Sequence, residues 1–368
     1  MRGPKATIHL DRLIANYNRV KTRVNHKPIM AVVKANGYGH GAVGCAQALE
    51  SHGCQFFGVF TLEEGIELRD AGITSDILVF SRMDTENLNG AIQNNLTLNV
   101  ANSHDVDVLV QYYKSTGQSP KFHLKVETGM TRLGIDMDAM DHVIHQLVDH
   151  PHLPCEGIYS HYATADEGDL SYALAQEAKF KSVLALAAQK GIKFNHVHFS
   201  NSGAVLNMDQ SEYNLIRVGM LLYGAYPSDK VPQDLNIQPV MTFTAPIVNV
   251  RHVPQNTAVS YGGVYHTKSD TNIGVIQCGF SDGLPRPWYV DGYVSYGGIN
   301  YPIAGRICMD QFMVDFGDTE PIEGEDVLLM GKWEEGEITM ETIAKSIDST
   351  PYVLSTAIGG RTERIYQD

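Results

Sequence analysis

A lysine followed by a glycine-rich turn is the part of the sequence best suited to chemistry. Residues 31–41 read AVVKANGYGHG, so Lys34 ends an apolar run and enters a loop with three glycines. If the run is a barrel strand, Lys34 lies at its carboxyl end, where barrel enzymes place their reactive groups. A desolvated amine there has a lowered pKa and can form a Schiff base. Judged by position alone, Lys34 could equally be a lysine that extends from a strand end into solvent and has no chemical role.

Polar groups also follow several later apolar runs. Lys125 ends one run and Arg132 follows it across a turn; His161 ends the next run, and Ser202 and Arg217 mark the last two. Serine and glycine after the last two strands match the usual phosphate site of a barrel. The set indicates pyridoxal phosphate, a phosphate-bearing aldehyde cofactor. Each residue alone is a weak indicator, because a histidine at a strand end more often satisfies backbone groups.

Alternating strands and helices should position these residues. Short apolar runs alternate with segments of helical pattern over the first two-thirds of the chain. The predicted strands are 28–34, 56–60, 76–80, 96–100, 121–127, 156–161, 196–200 and 214–217. Eight such strands in an α/β pattern fit a parallel (β/α)8 barrel of the TIM type better than an open sheet.

The pattern changes near residue 231. Runs rich in β-branched and aromatic residues, broken by Gly, Asp and Asn, then predict a mostly antiparallel β domain. These runs are 241–253, 272–279, 292–307, 312–316 and 326–330, and one late helix is predicted over 339–347. We expect the barrel at 1–230 and the β domain at 231–368, with the first few residues pairing with the β domain.

Composition excludes several classes of function. The 368 residues, 43% hydrophobic and 19% charged, have the balance of a globular protein, and no apolar run approaches the ~18 residues of a membrane helix. A net charge of −14 argues against binding to nucleic acid. The basic start is not followed by an apolar stretch, so no secretory signal is expected. Five cysteines without CxxC spacing predict neither disulfides nor a metal site, and a cytoplasmic protein is expected.

Ordered motifs along essentially the whole chain resemble those of bacterial alanine racemases, which are fold-type III pyridoxal-phosphate enzymes. The motifs lie at 33–41, 125–134, 160–166, 200–202, 216–224, 259–262 and 305–311. The resemblance implies that Lys34 binds the cofactor covalently and serves as one catalytic base. It also implies a homodimer in which Tyr261 of the partner subunit is the second base. By themselves, Tyr261 and Met309 would fit ordinary turns.

The same resemblance implies roles for the other polar residues. The phosphate would be bound by Tyr38, Ser202, Gly219 and Tyr352. Arg217 would face the pyridine nitrogen and bond to His161. The substrate carboxylate would be held by Arg132 and by the backbone N–H of the partner's Met309. Lys125 resembles a lysine that is often carbamylated in this family.

The implied activity is the interconversion of L- and D-alanine, which supplies D-alanine for peptidoglycan. Two bases on opposite faces of the substrate Cα suit racemisation. Because a guanidinium keeps its proton, Arg217 leaves the pyridine nitrogen unprotonated, which disfavours transamination. The resemblance also implies that decarboxylases of this fold type have an acidic residue at the position of Arg217.

Three alternatives remain open from the sequence. They are a serine or broad-spectrum amino-acid racemase, a fold-type III decarboxylase, and a non-catalytic protein that carries the cofactor on a barrel alone. Arg217 argues against a decarboxylase, and the predicted β domain argues against a non-catalytic cofactor carrier. Phe280 and Val353 stand where the family usually has Tyr and Glu, so the preference among small amino acids stays open.

Overall fold

The chain begins with strand β1 (Lys5–His9) and then builds a parallel barrel in the computed structural model, which describes residues 3–368. The barrel strands are β2 Ile29–Val32, β3 Phe56–Val59, β4 Asp76–Arg82, β5 Thr97–Val100, β6 Phe122–Lys125, β7 Cys155–Tyr159, β8 His196–His198 and β9 Ile216–Val218. They pair in the order β8-β7-β6-β5-β4-β3-β2-β9. The gap between β8 and β9 is bridged by the Asn214 N–H, which donates to the Val197 carbonyl at 3.2 Å. The predicted (β/α)8 barrel is confirmed.

Helices cover the outside of the barrel. They are α1 Leu10–Arg23, α2 Ala42–Ser51, α3 Leu62–Asp70, α4 Leu88–Gln93, α5 Ser103–Thr116, α6 Met140–Asp149, α7 Ser171–Gln189 and α8 Ser202–Asn207. The helix α3 begins with a reciprocal cap in which Thr61 and Glu64 each accept a backbone N–H of the other. Such caps fix the point at which the chain leaves a strand end, and so they fix the loops that carry polar groups.

The remaining strands form a mostly antiparallel β domain, as the sequence predicts, made of one large sheet and a separate hairpin of residues 258–259 and 265–266. They are β10 Met241–Val253, β11 Ala258–Val259, β12 Tyr265–His266, β13 Thr271–Ile276, β14 Tyr293–Tyr296, β15 Ile299–Pro302, β16 Phe312–Asp315, β17 Asp326–Trp333, β18 Gly336–Ile338 and β19 Glu363–Gln367. The strand β10 is central, because it pairs with β1, β13 and β17. The helices α9 Met340–Ser346 and α10 Pro351–Ala357 lie between β18 and β19.

The start of the chain joins this second sheet. Lys5 lies opposite Thr244 of β10 in antiparallel pairing and opposite Glu363 of β19 in parallel pairing. Three details differ from the sequence analysis. Two late helices, α9 and α10, are present where the sequence predicts one. The run 292–307 is a hairpin, because Gly297 and Gly298 both adopt positive φ between β14 and β15. The first barrel strand stops at Val32, so Lys34 follows the strand rather than ending it.

No helix in the described part of the chain has the length and apolarity that crossing a membrane requires. Among residues 3–368 no group of three or more His, Cys, Asp or Glu side chains is arranged to hold a metal ion.

A buried asparagine ties α1 to the connection between the two domains. The Asn16 side-chain amide donates to the carbonyls of Leu222 (3.1 Å) and Gln238 (2.8 Å), and its oxygen accepts the Gln238 N–H at 2.9 Å. Asn16 is fully buried, so water cannot replace these partners. This one side chain therefore fixes α1 against both the end of the barrel and the segment that leads to β10.

Asn16→Leu should lower the free energy of unfolding by about 3 kcal/mol, because it leaves two carbonyls and one N–H without partners. Urea denaturation of the purified variant measures the change. The matched control is Asn18→Leu, an exposed site on the same helix, where the change should stay below about 0.5 kcal/mol. Equal losses in both variants would contradict the role of the buried amide.

Candidate active site

The reactive lysine is placed by a left-handed turn. Immediately after Lys34, the residues Ala35, Asn36 and Tyr38 have φ of 51°, 52° and 52°, and Gly37 has φ of 62°. For residues with a side chain this conformation costs roughly 1 kcal/mol each, and such strain is concentrated at functional sites. The turn is held from outside, because the Glu64 carboxylate accepts the Ala35 N–H at 2.7 Å.

The Lys34 amine lies in a cationic, desolvated setting. Burial lowers its pKa most, and the nearby Arg132 and Arg217 lower it further, while Glu64 opposes them. Its Nζ lies 6.0 Å from the centre of the Phe60 ring. Since the neutral amine is the nucleophile, this setting favours the form that reacts with an aldehyde.

A buried guanidinium lies on β9, the barrel strand that pairs directly with β2. Arg217 on β9 is 4% exposed and donates to His198 Nδ1 (2.8 Å), His161 Nδ1 (2.9 Å) and the Ser160 carbonyl (2.9 Å). Burial, with repulsion from Arg217, keeps the pKa of both histidines well below the usual value. Both rings are therefore neutral acceptors, and the guanidinium has a single fixed orientation.

Four predicted phosphate ligands come together beside the last two barrel strands. The Tyr38 ring centre lies 5.1 Å from that of Tyr223 and 5.9 Å from that of Tyr352. A Cβ on Gly219 would lie 2.7 Å from the Tyr38 hydroxyl, so this position requires glycine. Ser202 begins α8 beside them, and its hydroxyl accepts the Leu221 N–H at 3.4 Å.

This hollow fits an anion. The first amides of α8 have no partners within the helix, and the Asn201 side chain satisfies only the Ala204 N–H. The Tyr38 and Tyr352 side chains bring hydroxyl groups to the same hollow, and burial raises the pKa of Tyr38 to about 12, so its hydroxyl stays a donor. Amides and hydroxyls of this kind suit a phosphate monoester.

A second lysine lies close to these cations. Lys125 ends β6, is 6% exposed, and its Nζ lies 5.6 Å from the centre of the Tyr159 ring. Burial and repulsion from Arg132 and Arg217 lower its pKa to about 8. Arg132 is exposed on the loop that follows, after Thr131 with φ of 53°. Its backbone N–H donates to Glu127 at 3.4 Å.

Tyr261 and Met309 lie on loops of the β domain, and the structure does not bring them to the Lys34 group. Tyr261 is 71% exposed and Met309 is 56% exposed. The two loops contact one another, since the Ser260 hydroxyl donates to the Arg306 carbonyl at 2.8 Å. Ser281 fixes the Met309 carbonyl with its N–H (3.1 Å) and its hydroxyl (2.8 Å). Their part in a site stays a prediction.

Three supporting residues were not singled out from the sequence. Glu64 holds the Lys34 turn, His198 holds Arg217, and Tyr159 stacks on His198 with ring centres 4.7 Å apart. For His198 the sequence did offer a signal. His196, His198 and Ser200 alternate in a predicted strand, which puts all three side chains on one face of the strand.

A barrel with this mouth, followed by an antiparallel domain, is a fold-type III pyridoxal-phosphate enzyme. Family comparison narrows the class. Residues 8–227 match the model of the alanine racemase N-terminal domain and residues 240–366 match that of the C-terminal domain, so the chain belongs to the alanine racemase family.

Relatives and solved structures agree over the whole chain. An alanine racemase of Carboxydothermus hydrogenoformans is 36% identical over 100% of both chains, and alanine racemase 2 of Caldanaerobacter subterraneus subsp. tengcongensis is 35% identical over 100% of this chain and 95% of its own. The alanine racemase structure from Streptomyces lavendulae superposes with a TM-score of 0.93 at 33% identity, covering 100% of this chain and 98% of its own. That from Bartonella henselae, which has covalently bound pyridoxal phosphate, gives 0.90 at 26% identity with both chains fully covered.

The charge environment of Lys125 predicts an unusual titration. Because burial and two guanidinium groups disfavour the ammonium form, its amine should lose a proton near pH 8 rather than at the ordinary value of 10.5. Carbon-13 NMR of reductively methylated, cofactor-free protein measures this, and the signal that Lys125→Arg removes belongs to Lys125. A titration midpoint at or above pH 10.5 for that signal would contradict the lowering of the Lys125 pKa by burial and by the two guanidinium groups.

Proposed function

We propose that the protein is a homodimeric, pyridoxal-phosphate-dependent racemase that interconverts L- and D-alanine. The observation that carries the proposal is the pair of Lys34 and Arg217 at the barrel mouth, in a chain of the alanine racemase family. A cytoplasmic enzyme that supplies D-alanine for peptidoglycan is the role that fits this activity. The five cysteines form no disulfide in residues 3–368, which is consistent with a reducing compartment.

The residues at the mouth have the chemistry that the cofactor requires. Lys34 would supply the amine for the aldehyde, and Tyr38, Ser202, Gly219 and Tyr352 would bind the phosphate. Arg217, whose guanidinium donates to His161 and His198, would face the pyridine nitrogen. When bound, the cofactor supplies an electron-withdrawing ring that stabilises negative charge at the substrate Cα.

The remaining roles belong to proton transfer and substrate binding. Lys34 removes or returns a proton on one face of Cα, and Tyr261 of the partner subunit does so on the other face. Arg132 and the backbone N–H of the partner's Met309 hold the substrate carboxylate. The exposure of Tyr261 and Met309 in one subunit supports this arrangement, because each is free to reach another chain. The barrel at 1–230 then holds the cofactor, and the β domain at 231–368 contributes to the neighbouring site.

Carbamylation of Lys125 would remove the conflict between cations. A neutral amine is needed to attack CO2, and the lowered pKa of Lys125 supplies it at neutral pH. The new N–C bond forms, one proton leaves, and the side chain becomes an anion beside Arg132. An anion there orients the Arg132 guanidinium toward substrate instead of repelling it.

The activity is tested by following optical rotation with L-alanine, L-serine, L-lysine and L-ornithine. Alanine should react fastest, because the chain belongs to the alanine racemase family. The purified protein should be yellow, and borohydride should fix the cofactor to the peptide that carries Lys34. Lys34→Ala should lose activity by about a thousandfold.

Other outcomes would identify the alternatives. Faster reaction of serine indicates a serine racemase, release of CO2 from lysine or ornithine indicates a decarboxylase, and a yellow protein without turnover indicates a carrier. Phe280 and Val353, exposed by 41% and 57%, are the positions at which a preference for serine would arise. A label on any lysine other than Lys34 overturns the assignment of the cofactor lysine.

The shared site is tested by mixing inactive subunits. Lys34→Ala and Tyr261→Ala should each be nearly inactive alone. After refolding together, about half the dimers should be mixed, and one site in each has both bases, so about a quarter of sites should recover. Mass spectrometry confirms subunit exchange. If mixed dimers form without activity, each site belongs to one chain and the placement of Tyr261 is wrong.

The proposed carbamylation is tested by removing the Lys125 side-chain amine. Lys125→Ala should lose activity and regain part of it with added short carboxylates, because a free anion can then contact Arg132. Lys125→Arg, which keeps a cation, should not be rescued. Full activity of Lys125→Ala without added anion would contradict the proposed role.

A further inference from the structure

A line of hydrogen bonds runs from Arg217 down the inside of the barrel. The Arg217 guanidinium donates to His198 Nδ1 at 2.8 Å, and His198 Nε2 lies 3.0 Å from His123 Nδ1. The three side chains are 4%, 0% and 4% exposed. They belong to β9, β8 and β6, so the line crosses the barrel interior away from the mouth and toward the amino-terminal ends of the strands.

The direction of this line is fixed by chemistry. Arginine can only donate, so His198 Nδ1 has to accept and the His198 proton is on Nε2. That N–H then donates to His123 Nδ1, which places the His123 proton on its own Nε2. Both rings are neutral, since burial lowers the pKa of His123 to about 3 and that of His198 well below its usual value. One buried cation therefore sets the tautomers of two histidines in series.

The far end of the line meets a cavity. Within the described residues, His123 Nε2 has no hydrogen-bond partner, and His123 lines a cavity of about 90 Å³. The cavity lies at the amino-terminal ends of the strands, where the ionisable side chains of Asp76, Lys121, Glu156 and His196 also line it. The cavity is large enough to hold a water molecule, and a water molecule there can accept the His123 N–H.

We propose that His123 is a positioning residue for Arg217, acting through His198. By accepting the His198 N–H, it keeps the Nδ1 lone pair of His198 on the guanidinium, and so it holds the N–H that Arg217 presents at the barrel mouth. The inference rests on the proposed function, because it assigns Arg217 to the pyridine nitrogen. Losing the His123 acceptor leaves the His198 N–H without a partner in a closed interior, which loosens the orientation of Arg217.

Three substitutions separate this role from simple packing. His123→Leu removes the acceptor. His123→Asn keeps one, because its amide oxygen takes the place of Nδ1. The matched control is His196→Leu, since His196 lines the same cavity but has no bond to His198 or Arg217 among the described residues.

Two measurements other than racemisation report on the hydrogen bonds from Arg217 through His198 to His123. Both are made on the dimer as purified with its cofactor. Nitrogen-15 NMR, with His198 assigned by its loss in His198→Asn, should show a protonated Nε2 that exchanges slowly with water. The absorbance maximum of the bound cofactor reports the contact with Arg217. In His123→Leu the exchange rate should rise at least about fivefold, the absorbance maximum should shift, and kcat for alanine should fall about fivefold with KM within about twofold.

His123→Asn should restore all three values, and His196→Leu should leave them unchanged. An unchanged NMR signal and absorbance maximum in His123→Leu overturns the proposal, as does an equal effect in His196→Leu. If His123→Leu fails to fold, His123→Gln replaces it, because its oxygen lies one bond too far to take the place of Nδ1. Absence of racemisation in the unmodified protein overturns the proposed function, whereas the NMR comparison still decides whether His123 holds His198.

Discussion

A buried guanidinium is the constraint on which the rest of the barrel mouth depends. Arg217 cannot give up its charge at neutral pH, so every N–H it presents to the interior needs a neutral or negative acceptor. The protein provides two histidine nitrogens and the backbone carbonyls of Ser160 and Phe199, and none of these is a carboxylate. The positive charge is therefore held in place without being cancelled. It can repel the ammonium forms of Lys34 and Lys125 and make both amines more reactive.

The backbone that carries each lysine, rather than this charge, distinguishes the roles proposed for the two. Lys34 lies on a strained left-handed turn after β2, whereas Lys125 ends the regular strand β6. Both amines are pushed toward the neutral form, but only the turn gives Lys34 freedom to extend toward a bound ligand. Lys125 is packed over the Tyr159 ring, where a neutral amine can be modified and then stay fixed.

Sequence reasoning located the barrel, the β domain and the polar residues at strand ends because each leaves a local pattern, whereas Tyr38 and Tyr352 came only from the family resemblance. Strand periodicity placed Lys125, His161 and Arg217 at strand ends, and the antiparallel domain followed from its β-branched runs. Contacts between distant segments left no such pattern. The pairing of His198 with His123 depends on the register of three barrel strands, and the strand β19 is short and polar, so its pairing with β1 decides its structure.

The side-by-side pairing of the first and last strands has a consequence for the order of events during synthesis. The strand β1 leaves the ribosome first, yet both of its neighbours, β10 and β19, belong to the C-terminal sheet. The segments that form the barrel are complete long before β19 is made. The β1 segment can pair with β10 once residues 241–253 have been made, but its other edge stays unpaired until β19 follows. The edge of the second sheet that β1 and β19 share is therefore completed only after β19 has been made.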